Sequence, residues 1–460
     1  MLRMNILVVG CARSGIGAAK LAVAKEHKVT IYDKKKLGDF DNETRQSLLN
    51  LSNLGVDLQL NSEDYKHNID KVVVSPGVPL EIDIIKFYKQ AGIEIVGEFE
   101  FASTFCKAPI IGITGTNGKT TTTSLVGEIF KAYNPNTYVV GNIGRAFSEE
   151  VLDIKEDGIV IAELSSFQLE TIKTLKCEIS AILNISPDHL NRHHTMENYI
   201  QAKYRIFENP SAINKLILNY EDTELRKLVG NTKKEELYFS AKQEIENGTY
   251  LKNGFLIDNT LGDNLEICHI DDMHILGEHN YENALAAILI ARAYKVPSQI
   301  IKEVLINFRG VEHRIEYVNV VNNIKFYNDS KATNVGAAIP ALHAMRSKIR
   351  LIGGGLDKDI EFDEWIKLFD TRVAKIYLIG ETTNQIIETC KKYNFNNYQS
   401  YETLEEATIA AYTEANSGEC VLLSPACASW DMFKSYEVRG ELFKKVVNSL
   451  KEGETIGKTN

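Results

Sequence analysis

Short runs of apolar and β-branched residues alternate with helical patterns almost throughout the chain. The first such runs are Asn5–Val9, Lys28–Tyr32 and Lys71–Val74. A second series is Pro109–Ile113, Gly158–Ala162, Ala181–Ile185 and Lys215–Leu218, and a third is Lys325–Tyr327, Arg350–Ile352, Lys375–Ile379 and Cys420–Leu423. Strand–helix alternation of this kind predicts mainly parallel sheets with helices on both faces. Three series predict an α/β protein of three domains, 1–97, 98–310 and 311–460. The stretch from about 235 to 275 breaks the rhythm. There Tyr250–Ile257 reads as a hairpin with Asn253-Gly254 at its turn, predicting an antiparallel insertion. The last ten residues, Lys451–Asn460, are polar and expected to fray.

Composition narrows the class. The chain has 460 residues, 44% hydrophobic and 25% charged, which suits a globular protein with ample core. A formal net charge of -10 argues against a nucleic-acid-coating surface, and no nucleic-acid partner is expected. Seven cysteines occur without a C-x-x-C pair, so neither a disulfide framework nor a zinc site is expected and a reducing, cytoplasmic setting fits. The early run Ile6–Val9 is too short for a signal-peptide core, and no apolar run approaches the length of a membrane span.

The strongest local chemistry is GITGTNGKTT, Gly112 to Thr121, between an apolar strand and a helical pattern over Thr122–Ala132. Glycines let successive backbone N–H groups face a phosphate, and the helix N-terminus adds partial positive charge. Gly115, Thr116, Asn117, Gly118, Lys119, Thr120 and Thr121 are therefore the candidate ATP-binding loop. Lys119 reaches the terminal phosphates and the Thr120 hydroxyl is a Mg²⁺ ligand. The usual spacing places glycine where this chain has Ile113, so the match is a variant. The strand Gly158–Ala162 runs directly into Glu163, putting a carboxylate at the C-terminal edge of a parallel sheet, where a metal ligand is needed.

The first run leads into Gly10-Cys11-Ala12-Arg13-Ser14-Gly15, an imperfect dinucleotide fingerprint with Ala12 in place of a glycine. Asp33 ends the second run about 20 residues on, where a ribose contact usually falls. A Rossmann-like first domain follows. Read alone, it leaves a nicotinamide-dependent oxidoreductase open.

Further segments carry a resemblance. GTNGKTTT (115–122), GNIG (141–144), ELSSFQLE (163–170), NISPDHLNRH (184–193), GEHNYENALAA (277–287), His313-Arg314, NDSKATN (328–334) and SPACASWDMFKSYEVRG (424–440) occur in this order. Together they resemble the Mur ligase family, ATP-dependent enzymes that add amino acids to peptidoglycan precursors. The resemblance implies a P-loop ATPase-like central domain and a Rossmann-like C-terminal domain. It implies ATP and Mg²⁺ as cofactors, with UDP-N-acetylmuramoyl-L-alanine and D-glutamate as substrates of a monomeric enzyme. Glu163, Thr120, His189 and Lys203 would gather at the metal, with Lys203, on a predicted helix Tyr199–Phe207, carried as a carbamate. That modification needs a neutral amine, so Lys203 is expected to be buried or held by its neighbours. Lys119, His189 and Lys203 are the candidate catalytic residues.

Asn280 and Asn283, three apart on one helix face, would approach adenine, and Arg314 and Asp329 the ribose and phosphates. Ser14, Asp33, Lys34, the turn Ser75-Pro76-Gly77 and Asn142 are the candidate contacts to the UDP substrate, with Ser165 near the metal or the muramoyl group. Lys331, Thr333, Lys358, Ser429 and Tyr436 would hold the amino acid, since a lysine and several hydroxyls suit the two carboxylates of glutamate. Trp430 and Tyr436 depart from the pattern, standing where a smaller apolar residue and a phenylalanine are expected. The expected chemistry is carboxylate attack on the γ-phosphate, then amine attack on the acyl phosphate, with domain closure on binding. An ATP-sensing protein without turnover, and a sibling ligase with another amino acid, are the alternative readings.

Overall fold

The computed structural model describes residues 3–62, 67–228, 230–358 and 360–450. The polar segment Lys451–Asn460 lies outside them. Among the described residues the chain forms three α/β sheets of five, nine and six strands. It divides into two compact units. One reaches Cys268 and adds Glu282–Leu305; the other is His269–Tyr281 together with the chain from Ile306.

The first unit holds two sheets. β1 (Asn5–Val9), β2 (Lys28–Asp33), β3 (Asp57–Leu60), β4 (Lys71–Val74) and β5 (Glu94–Gly97) form a parallel sheet in the order β3-β2-β1-β4-β5. The order reverses between β1 and β4, and doubly wound sheets bind ligands at such a switch point. The second sheet comprises β6 (Ile110–Thr114), β7 (Thr137–Gly141), β8 (Ile159–Glu163), β9 (Ile179–Ile182), β10 (Lys215–Asn219), β11 (Glu235–Ser240), β12 (Gly248–Lys252), β13 (Phe255–Asp258) and β14 (Leu265–His269). Its order is β14-β13-β12-β11-β10-β9-β6-β8-β7. Fully buried Val and Ile runs such as Ile110–Ile113 and Ile159–Ala162 explain its interior position, covered on both faces.

The hairpin is present, with Tyr250 opposite Ile257, Lys252 opposite Phe255, and Asn253 and Gly254 both at positive φ. The antiparallel insertion needs correction. β11 pairs parallel with both β10 and β12, so only the hairpin end runs antiparallel and the segment extends the central sheet. Local turn chemistry reveals a hairpin; it carries no information on which older strand the newcomer joins. Two helices also shift. The phosphate-loop helix begins at Lys119 and runs to Tyr133, because Gly118 ends the loop in a left-handed conformation. The Lys203 helix is Met196–Tyr204, started by Thr195, whose side chain accepts the Asn198 N–H, and it tightens to 3₁₀ over Arg205–Phe207.

One apolar core runs through this unit, from Ile6 and Val8 through Phe99, Phe101 and Phe147 to Val160, Leu216 and Leu218. The helix Glu98–Ser103, directly after β5, crosses it with two buried carboxylates. Glu98 accepts the Ser148 N–H at 2.7 Å. Glu100 accepts the Thr174 N–H and hydroxyl at 2.8 and 2.6 Å and the Leu175 N–H at 3.1 Å. These bonds tie the end of the first sheet to helices and loops of the second.

The second unit carries β15 (Glu316–Val321), β16 (Ile324–Asn328), β17 (Ile349–Gly353), β18 (Val373–Leu378), β19 (Tyr398–Ser400) and β20 (Cys420–Leu423) in the order β15-β16-β20-β17-β18-β19. Only β15 with β16 is antiparallel. Apolar clusters cover both faces, one around Trp365, Leu351 and Leu422, the other around Phe326, Val421 and Phe443. All seven cysteines are free thiols. Among the described residues no helix is long and apolar enough to cross a membrane.

Glu100→Ala removes the acceptor of the Thr174 N–H and hydroxyl and strands the buried Leu175 N–H. It is expected to destabilise the first unit by at least about 2 kcal/mol, read as a lower urea midpoint for its transition.

Candidate functional site

The phosphate loop springs from the C-terminal end of β6. Gly115 and Gly118 have φ of 157° and 80°, and a Cβ at Gly118 would collide with the Asn283 side chain. Gly112, by contrast, lies inside β6, where a Cβ would stand 2.7 Å from the Cys177 sulfur; it serves packing rather than the loop. Asn184 brackets the loop, its Oδ1 accepting the Asn117 N–H at 2.8 Å and its Nδ2 donating to the Asn117 carbonyl at 3.1 Å. The Thr116 hydroxyl donates to the Ser186 carbonyl and shares a 2.9 Å hydrogen bond with the Tyr199 hydroxyl. Thr120 and Thr121 follow in a first helical turn free of acidic residues, so its partial positive charge is uncancelled. Lys119 folds over the loop and donates to the Gly115 and Thr116 carbonyls at 2.9 and 2.7 Å.

Parallel pairing sets Ile113 of β6 beside Glu163 of β8, so the loop and the carboxylate leave adjacent strands at the same sheet edge. Glu163 is buried. Its Oε1 accepts from Asn142 Nδ2 at 2.8 Å, while Oε2 is buried without a hydrogen-bond partner. An orphaned buried carboxylate oxygen is costly unless a ligand completes it, and a hard cation fits that demand. Lys203, fully buried, reaches the same place from the helix Met196–Tyr204. Its Nζ donates to the Gly115 carbonyl at 2.7 Å and lies 4.7 Å from the Tyr199 ring centroid. Burial, with the Lys119 charge second, pushes its pKa down to about 7. The neutral-amine requirement is thus met by geometry.

His189 begins the short helix Leu190–His193 with a left-handed φ of 52°, half exposed, 3.3 Å from Asp188 and 4.8 Å from the Phe167 ring. His193 does not join it at a metal. Its ring is buried, with Nε2 at 2.9 Å from the Ser166 hydroxyl and Nδ1 at 3.1 Å from Glu170. Arg192 bonds the same Glu170 and the Val78 carbonyl, linking this segment to the first sheet. Ser165 caps the helix Ser166–Leu169 in a reciprocal pair with Gln168.

A cavity of about 650 Å³ opens at the switch point of the first sheet, lined among others by Gly10, Ser14, Asp33, Ser75 and Asn142. Pro76 and Gly77 border it as well. Lys35, exposed like its neighbour Lys34, also borders it. Asp33, a candidate UDP contact, also accepts the Cys11 N–H and the Lys35 N–H at 2.9 Å each, and so braces the loop after β1. Asn142 lines this cavity and bonds Glu163, so one residue joins the cavity to the carboxylate at the phosphate-loop edge.

Residues 113–291 match the family model described as Mur ligase middle domain, and 313–427 that described as Mur ligase, glutamate ligase domain. A protein of Lachnoclostridium phytofermentans named UDP-N-acetylmuramoylalanine–D-glutamate ligase is 46% identical over 98% of this chain and 99% of its own length. The chain belongs to the Mur ligase family. A protein of the same name from Thermoanaerobacter sp. is also 46% identical, over 97% of this chain and 98% of that one. Among solved structures, the UDP-N-acetylmuramate-alanine ligase of Thermotoga maritima has the same fold, with TM-score 0.58 and 19% identity over 98% of this chain and 100% of that one. Mur ligases are ATP-dependent, in keeping with the phosphate loop.

In the second unit of this Mur ligase, three neighbouring strands end side by side: β16 before Asp329, β20 before Ser424, β17 before Gly354. Asp329 is buried and accepts the Ser424 hydroxyl at 2.7 Å and the Ile315 N–H at 3.2 Å. Lys331 and Thr333 follow it, the Lys331 ammonium 5.8 Å from the Tyr436 ring. Arg314 is exposed on the turn before β15, and Asn280 is buried near its helix start, donating to the Leu276 carbonyl at 2.7 Å. Asn283 belongs to the first unit, where it accepts from the Thr122 hydroxyl at 3.2 Å. Sequence reasoning passed over Tyr199, Asn184 and the buried Arg439, which donates to Ser330 and to the Cys427 carbonyl. Tyr199 carried a legible signal, four residues before Lys203 on one helix face.

Burial pushes the Asp329 pKa up to about 7. Its folded value thus exceeds the unfolded one, so its stabilising protonation is complete below about pH 4 and lost as pH rises through about 7. Asp329→Asn mimics the protonated form. Its melting temperature is expected to exceed that of the wild type at pH 8, with the gap narrowing as pH falls and closing below about pH 4, by calorimetry.

Proposed function

We propose that this Mur ligase joins D-glutamate to UDP-N-acetylmuramoyl-L-alanine through an acyl phosphate, as a cytoplasmic monomer. The convergence of Lys119, Lys203 and the unpartnered Glu163 oxygen at one sheet edge carries this reading. The names borne by its relatives at 46% identity supply the substrates. Residues 1–97 take the UDP moiety, 98–310 hold ATP, and 311–460 hold the amino acid. UDP and ATP substrates favour the cytoplasm.

The substrate carboxylate attacks the γ-phosphate, while Lys119 and the loop N–H groups hold the phosphates in line. Thr120, Glu163, His189 and the carbamate of Lys203 would hold Mg²⁺, which neutralises phosphate charge when bound. The amine of D-glutamate then attacks the acyl carbon and phosphate leaves. His189, half exposed beside Asp188, would accept the amine proton. Lys331, Thr333, Lys358, Ser429 and Tyr436 seat the two carboxylates. Domain closure is expected to accompany substrate binding.

Lys119→Ala should retain the wild-type circular dichroism spectrum and lose on the order of a hundredfold to a thousandfold in phosphate release. With UDP-N-acetylmuramoyl-L-alanine and ATP, a panel of amino acids should give product with D-glutamate; preference for L-alanine or a diamino acid would redirect the assignment to a sibling ligase. Protein equilibrated with ¹³C-labelled CO₂ should show a carbamate resonance absent from Lys203→Ala. The signal is expected to grow as pH rises through about 7, where the amine becomes neutral.

A further inference from the structure

We propose that Trp430 is a positioning residue that holds the Lys358 ammonium where the side-chain carboxylate of the incoming amino acid docks, and thereby sets the affinity for D-glutamate. The inference rests on the reading of Lys358 as an amino-acid contact. It goes beyond that reading in assigning the tryptophan a task.

Three loops carry the argument, and all lie in the second unit. The loop after β17 is stitched to the loop after β20 by the Leu356 N–H donating to the Ala428 carbonyl at 2.9 Å, with Leu356 and Ala428 forming an isolated antiparallel bridge. The loop after β18 joins both. The Thr382 N–H donates to the Gly355 carbonyl at 3.0 Å, and the Asp431 carboxylate accepts the Glu381 N–H at 3.1 Å. Trp430 therefore sits between two anchored neighbours. Ser429 is buried, its carbonyl accepting the Met432 and Phe433 N–H groups at 3.2 and 2.8 Å, and Asp431 is tied across to Glu381. The backbone on either side is fixed, so the indole is aimed rather than free.

What it is aimed at is Lys358, whose Nζ lies 4.0 Å from the ring centroid. That is well within cation–π range, and indole is the best aromatic partner for an ammonium. Packing does not account for the side chain. Trp430 is 64% exposed, whereas the chain's other tryptophan, Trp365, is fully buried in the core. A large exposed aromatic stacked on a lysine points to ligand handling. A free lysine side chain disperses its charge over many rotamers, and ordering it on ligand arrival costs entropy. Held on the indole face, the ammonium keeps N–H donors on its open side for a carboxylate, and part of that ordering precedes binding.

The test uses the full-length enzyme with ATP and UDP-N-acetylmuramoyl-L-alanine saturating and D-glutamate varied. Trp430→Leu should raise the KM for D-glutamate about fivefold, while kcat and the KM for ATP stay within about twofold of the wild type. Trp430→Phe, which keeps an aromatic face, should recover most of the loss. In a double-mutant cycle with Lys358→Met, the two substitutions should be less than additive in KM, since either one removes the same contact. An unchanged KM in Trp430→Leu, or additive effects in the cycle, would overturn the inference, as would equal losses for ATP and D-glutamate. Failure of the wild-type enzyme to consume D-glutamate is a separate result; it would remove the underlying assignment of the pocket, and this inference with it.

Discussion

One backbone carbonyl organises the nucleotide end of this molecule. The Gly115 oxygen accepts from both Lys119 and Lys203, so two amines crowd one acceptor at the mouth of the phosphate loop. Their mutual repulsion and the burial of Lys203 make the doubly charged state unfavourable, and Lys203 yields its proton readily. A few ångströms of strand pairing away, Glu163 has an oxygen with nothing to bond. The edge thus carries an excess of donors, a latent nucleophilic amine and an incomplete carboxylate, all satisfied together by a polyphosphate and a cation.

This arrangement depends on topology more than on any single contact. β6 and β8 are neighbours although β7 lies between them in the chain, so the loop after one and the carboxylate ending the other meet at the same edge. The Lys203 helix arrives after β9, the strand on the other side of β6. The second unit repeats the principle, since β16, β20 and β17 end together and release Asp329, Ser429 and Lys358 from one edge. Parallel strands point their C-terminal ends the same way, and residues distant in sequence become neighbours there.

Much of this was legible in the chain, and the exceptions have physical reasons. Asn5–Val9, Lys71–Val74 and Cys420–Leu423 were bounded correctly because each is a compact apolar run. β3, β5 and β19 escaped notice because they are short and partly exposed at sheet edges, where polar residues dilute the strand pattern. β9 was displaced toward its C-terminal side because the apolar run Ala181–Ile185 continues past the last paired residue into the loop bearing Asn184. Glycines, lysines and carboxylates at strand ends declare themselves by type and spacing, whereas pairings such as Asn142 with Glu163 depend on which strands become neighbours.

Asn142 shows why that distinction matters for function. Its side-chain amide donates to the same carboxylate whose other oxygen awaits a partner, and its residue also borders the cavity at the switch point of the first sheet. A ligand filling that cavity and a cation completing Glu163 therefore press on one side chain from two sides. Loss of the amide would leave both Glu163 oxygens unbonded in a buried site, a costly state that would loosen the carboxylate's placement. A single hydrogen bond of 2.8 Å thus runs from the border of that cavity to the carboxylate at the phosphate-loop edge.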